Sequence, residues 1–97
     1  MRFEIVLAPE ALRAFRNLAA RHRVKLRDAL ETHLRHQPTK VSKSRIKRLR
    51  GIRRPQYRLR VDEIRVFYDV TGSEVWILAI IPKAEAEAWL KKEGTPE

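Results

Sequence analysis

Tyr57-Arg58-Leu59-Arg60-Val61, then Asp62-Glu63, then Ile64-Arg65-Val66-Phe67-Tyr68 is the stretch whose alternation decides the fold. Successive side chains of an extended chain point to opposite faces, so Tyr57, Leu59 and Val61 face one way while Arg58 and Arg60 face the other. One strand thus buries an apolar side and projects arginines from its back. The spacing predicts strands at about 56–62, 64–71 and 74–81. Asp62-Glu63 and Thr71-Gly72-Ser73 are turns short enough for antiparallel hairpins. Val75 to Ile81 is apolar on both faces, which predicts a central strand covered from both sides.

Upstream of this sheet the period changes. Ser42, Lys43 and Ser44 mark a polar loop, followed by a strand at about 45–50 and a turn from Gly51 to Pro55. Before the loop, Leu34, Leu30 and Val24 or Leu26 recur at helical spacing, and Pro38 stops that helix after about residue 35. Pro9 suits a first helical position, and Leu12, Phe15 and Leu18 or Ala19 continue a first helix over 9–21. The connection near Arg23 is very short, so the two helices form an antiparallel hairpin. Phe3, Ile5 and Leu7 give an N-terminal strand ahead of it. At the other end, residues 83–92 predict a short amphipathic helix with Ala86, Trp89 and Leu90 inward, and residues 93–97 a frayed tail. The expectation is α+β: an N-terminal strand and a helical hairpin packed on a mostly antiparallel sheet, closed by a C-terminal helix.

Ninety-seven residues fit a single domain, and 43% hydrophobic with 35% charged residues suits a packed core rather than disorder. No run approaches the roughly 20 apolar residues of a membrane span, and Met1-Arg2-Phe3-Glu4-Ile5 begins no secretory leader, so a cytoplasmic location is expected. The absence of cysteine removes disulfides and thiol chemistry. The formal charge is +10, and residues 40–65 carry eleven basic residues against Asp62 and Glu63, nine of those ten net charges. Such a concentrated field attracts polyphosphates or acidic proteins. Lys43, Arg45, Lys47, Arg48, Arg50, Arg53 and Arg54 are the candidate RNA-binding residues within it. No Gly-rich phosphate loop, zinc-spaced ligand pair or acidic magnesium cluster is present, so neither metal nor cofactor is expected. His22, His33 and His36 lie in or just after the helical hairpin and read as ordinary helix residues.

Three segments then occur in a specific order: Arg48-Leu49-Arg50-Gly51, Tyr57-Arg58-Leu59-Arg60-Val61 and Arg65-Val66-Phe67-Tyr68. This order resembles the RelE/ParE toxin family, from Leu7-Ala8-Pro9-Glu10-Ala11 to the closing Ile81-Pro82-Lys83. The resemblance implies a helical hairpin against a curved antiparallel sheet. It also implies a metal-independent endoribonuclease that cuts messenger RNA in the ribosomal A site, with the RNA's own 2′-hydroxyl as nucleophile. By correspondence Arg58, Arg60, Arg65 and Lys83 are the catalytic candidates. Fixed guanidinium forks suit a phosphorane that carries extra negative charge. Where many members have a terminal tyrosine or histidine, this chain has Trp89, whose indole is neither acid nor base; it either stacks on a base or anchors the last helix. Proton transfer then falls to a lysine such as Lys47 or Lys83, or to the ribosome. The competing implications are a ParE-like inhibitor of DNA gyrase without chemistry, and a weak member that mainly binds its antitoxin. The implied partners are the ribosome, messenger RNA and an acidic, partly disordered antitoxin that covers residues 83–92 and forms a toxin–antitoxin heterotetramer.

Overall fold

The computed structural model describes residues 1–97. In chain order the elements are β1 (Glu4–Leu7), α1 (Pro9–Asn17), α2 (Ala20–Leu34), β2 (Ile46–Arg48), β3 (Ile52–Arg54), β4 (Tyr57–Val61), β5 (Ile64–Thr71), β6 (Glu74–Pro82), α3 (Lys83–Glu93) and β7 (Thr95–Pro96). Five strands form a sheet in the order β1-β6-β5-β4-β2. All its pairings are antiparallel except β1 with β6. The architecture is α+β; β6 is an interior strand between β1 and β5, while β5 holds the middle of the sheet, and Trp76 on the outer face of β6 is exposed, so the two-sided cover expected for Val75–Ile81 is incomplete.

The alternation of β4 sorts the molecule into two unequal cores. Toward the helical hairpin, Leu59, Val61, Val66, Tyr68, Val75, Ile77 and Ile80 pack against Ala11 of α1 and Leu26, Leu30 and Leu34 of α2. On the opposite face Leu49, Phe67 and Ala79 form a smaller cluster beneath Ala86, Trp89 and Leu90 of α3. A bulge makes both possible: Phe67 pairs with Ala79 but Tyr68 pairs with Ile77, so Leu78 is an extra residue in β6. Tyr68 is fully buried, stacks on Tyr57 with 5.4 Å between ring centroids, and its hydroxyl donates to the Pro38 carbonyl at 2.6 Å. That bond ties the loop after α2 to the centre of the sheet.

Three expectations are corrected. The first helix ends at Asn17 rather than near 21: the Leu18 N–H turns back to the Phe15 carbonyl, Ala19 is extended, and the Arg23 guanidinium caps the Leu18 carbonyl. The strand expected over 45–50 is confined to 46–48, and the Gly51–Pro55 turn contains β3. The tail does not fray. Thr95 and Pro96 pair with Arg54 and Ile52 as β7 on β3, after Gly94 closes α3 by donating to the Leu90 carbonyl at 2.8 Å. Any side chain at 94 would put its Cβ 2.5 Å from that same oxygen, so the reversal needs glycine.

Leu59→Asp is expected to lose at least about 4 kcal/mol and with it the cooperative unfolding transition, because the new carboxylate has no partner in the core. Tyr68→Phe should keep the fold and lower stability by about 1–3 kcal/mol, the cost of leaving the buried Pro38 carbonyl without its donor. Chemical denaturation followed by circular dichroism measures both.

Candidate nucleic-acid interface

On the sheet face turned away from the hairpin, Lys47, Arg58 and Phe67 lie directly opposite one another across β2, β4 and β5. In the next row Arg60 lies opposite Arg65, which in turn lies opposite Ile81. Like charges placed directly across a ladder destabilise a sheet by roughly 0.2–1 kcal/mol a pair. Two such pairs occur side by side here. No carboxylate relieves them, because the ion pairs of the protein are Lys25–Asp62, Arg35–Glu31 and Arg54–Asp69. Packing has no use for this arrangement, and chemically it could hold an anion.

The three arginines sit at graded depths. Arg65 is 7% exposed, and one of its Nη atoms donates to the carbonyls of Asp62 at 2.8 Å and Ile64 at 3.1 Å. Arg58 is half-buried, and its Nε is the one buried side-chain nitrogen or oxygen without a hydrogen-bond partner. Burial, and then the charges of Arg65 and Arg60, hold the Arg58 pKa below the ordinary arginine value. Arg60 and Lys47 are exposed at the front of the patch. Lys83 begins α3, exposed, with its backbone N–H donating to the Glu63 carbonyl at 2.7 Å. This places it two residues beyond Ile81, at the Arg65 end of the row.

The remaining basic candidates divide. Lys43, Arg45, Arg50 and Arg53 are exposed, and their side chains take part in no ion pair or internal hydrogen bond. Arg48 lies over the Tyr57 ring at 5.3 Å and donates to the Gln56 carbonyl at 2.8 Å, so it braces the start of β4. Arg54 pairs through Nε with Asp69 at 2.7 Å. Asp69 is 4% exposed, and its other oxygen accepts the Gln56 N–H at 2.7 Å, while the Gln56 side chain accepts from Val70 N–H at 2.8 Å. This network is not legible in the pattern, where Asp69 stands as an isolated acid in an apolar run. Trp89 stacks on Phe67 with centroids 4.9 Å apart and so anchors α3, one ring face already occupied. His33 is half-buried, and burial followed by the charge of Arg45 lowers its pKa. No three metal-ligating side chains converge, and no helix is long and apolar enough to cross a membrane.

Residues 5–87 match the family model described as the ParE toxin of the type II toxin–antitoxin system parDE. A search of curated protein sequences gives no match. Among solved structures, the chain is similar to the archaeal RelE of a RelE–RelB complex from Pyrococcus horikoshii OT3, at 25% identity and a TM-score of 0.63, over 86% of this chain and 97% of that one. It is also similar in fold to a double arginine-to-alanine mutant of E. coli toxin RelE in the free state, at 23% identity and a TM-score of 0.68, over 94% of this chain and 93% of that one. The family match spans most of the chain, and the fold that carries the arginine rows is the one seen in both RelE structures; the protein belongs to the RelE/ParE superfamily of type II toxin–antitoxin toxins.

Proposed function

We propose that this toxin cleaves messenger RNA on the ribosome, with the unpaired arginine rows as its phosphate site. The observation that carries this reading is the buried, partnerless Nε of Arg58 amid Arg60, Arg65 and Lys47. A buried donor without an acceptor costs about 1–3 kcal/mol, and a bound phosphate oxygen supplies the acceptor. In the reaction, the RNA 2′-hydroxyl oxygen bonds to the adjacent phosphorus and loses its proton. The bond to the 5′-oxygen of the next nucleotide breaks, and that oxygen takes a proton, leaving a 2′,3′-cyclic phosphate and a 5′-hydroxyl. The phosphorane between these states carries one more negative charge than the diester. Arg58 and Arg60 bind that charge, and Arg65, held by backbone carbonyls, keeps the field fixed behind them. Arginine does not transfer protons at neutral pH, so acid and base come from Lys47, Lys83 or the ribosome.

The archaeal relative is solved as a complex with RelB. By analogy, an acidic, partly disordered antitoxin holds this toxin in the cytoplasm by covering α3 and the arginine rows, in a heterotetramer. A second reading, inhibition of DNA gyrase by protein contacts alone, is favoured by the ParE identity of the matching family model and by Trp89 at the terminal position.

Arg58→Ala and Arg60→Ala are each expected to relieve growth inhibition and to slow cleavage of translated messenger RNA about a hundredfold, with unchanged circular dichroism. Primer extension on translating ribosomes reads the cleavage. Cleavage-complex assays with gyrase that respond to the wild-type protein, with no cuts within codons, would select the second reading. For a short single-stranded RNA held by Arg58, Arg60 and Lys47, the slope of log affinity against log salt should be about −2.

A further inference from the structure

Between the C-terminal end of α2 and the start of β2 lies a recess of about 350 Å³, walled by Thr32, His33, His36, Lys40, Ser42 and Arg45. Ile46 is the one apolar residue on its wall, and no carboxylate lines it. The ammonium of Lys40 and the guanidinium of Arg45 take part in none of the protein's ion pairs. The Ser42 Oγ accepts the N–H groups of Arg45 at 3.1 Å and Ile46 at 3.2 Å, which leaves its own hydrogen free to donate into the recess. Burial and then the charge of Arg45 lower the His33 pKa, which favours the imidazole form that has one ring nitrogen as donor and the other as acceptor. The partial negative charge at the end of α2 opposes an anion here by about 0.3–1 kcal/mol, a smaller effect than two free cations on the same wall.

We infer that this recess is a second RNA subsite, which takes one phosphate and its ribose from the strand that passes over the arginine rows. The inference rests on the RNA-cleaving reading above. Its size suits a sugar-phosphate unit rather than a lone inorganic ion. Its polar lining provides no aromatic or apolar platform on which a base would stack, so it takes backbone and not base. Lys40 and Arg45 meet the phosphate, while Ser42, Thr32 and His33 meet ribose hydroxyls, which both donate and accept. β2 is the sheet's edge strand, so no further strand lies between the arginine rows and the recess. The Arg45 carbonyl accepts the Arg60 N–H at 2.9 Å, so the recess begins one strand beyond the arginine rows.

Fluorescence anisotropy with two labelled single-stranded RNAs tests this, one long enough to reach only the arginine rows and one extended past the β2 edge. The wild-type protein should bind the longer RNA more tightly and with a steeper salt slope. Lys40→Ala combined with Arg45→Ala should weaken the longer RNA about tenfold, reduce its slope by about 1.4, and leave the shorter RNA unchanged. Arg58→Ala should weaken both. If the double variant binds the longer RNA as wild type does while Arg58→Ala weakens it, the subsite is wrong and the arginine site stands. An equal loss on both lengths also overturns the subsite, since it would mean a diffuse field. If the wild-type protein binds neither RNA, both readings fall.

Discussion

Leu59 of β4 and Val66 of β5 face each other with neither exposed to solvent, and this pair sets the register of every charge on the opposite side of the sheet. Because side chains alternate strictly, a slip of one residue would bring Arg58 or Arg60 into the helical core and turn Leu59 out to water. The cost of burying an unpaired guanidinium there exceeds anything the slipped pairing would recover. The arginine rows are therefore held in place by the core beneath them rather than by partners of their own. That is what the proposed phosphate-binding role requires, since a cation already paired to a carboxylate has less to offer an incoming anion.

The two cores have different roles. The one under the helical hairpin contains the fully buried side chains Leu26, Leu34, Leu59, Val66, Tyr68, Val75 and Ile77 and accounts for most of the apolar burial. The one under α3 is small, and α3 contributes no fully buried residue to it. The helix is held by Trp89 on Phe67, by the Lys83 N–H at its start and by β7 on β3 beyond its end. Regions with few buried apolar contacts open at the low end of a protein's stability range, which makes α3 the helix least tied to the sheet by apolar burial.

Strong local patterns were legible in the sequence. The alternation of residues 57–61, the two-sided apolar run at Val75–Ile81 and the helical spacing around Leu26, Leu30 and Leu34 identified the elements that form. The order of strands was less so. The parallel placement of β1 beside β6 is a long-range pairing that no local signal encodes. Neither glycine nor proline marks the break after Asn17; it depends on a guanidinium several residues downstream capping the Leu18 carbonyl. β7 is two residues long and exists because α3 and Gly94 deliver it to β3. At the site, alternation put Arg58 and Arg60 on one face and the family resemblance added Arg65, but only the pairing and packing show that the three share a face and at what depths. Arg65 is drawn inward by carbonyls at its own turn, and Arg48 and Arg54 are occupied by Tyr57, Gln56 and Asp69. His33 and His36 had no pattern to distinguish them, because the recess they share with Arg45 forms only when the chain after α2 folds back along β2.

The uncompensated cross-strand cations also set how the domain responds to its ionic surroundings. Mobile anions screen repulsion within the folded sheet, and under the proposed RNA-cleaving role they would compete with RNA phosphates for the same guanidinium groups. Rising ionic strength thus favours the free toxin's fold, and in the proposed role it would loosen the hold on a polyanion. Like-charge repulsion within the rows is relieved by any negative charge that comes near, so under the proposed phosphate-binding role the tolerance of the folded state and the grip on the target are set in opposition by one group of residues.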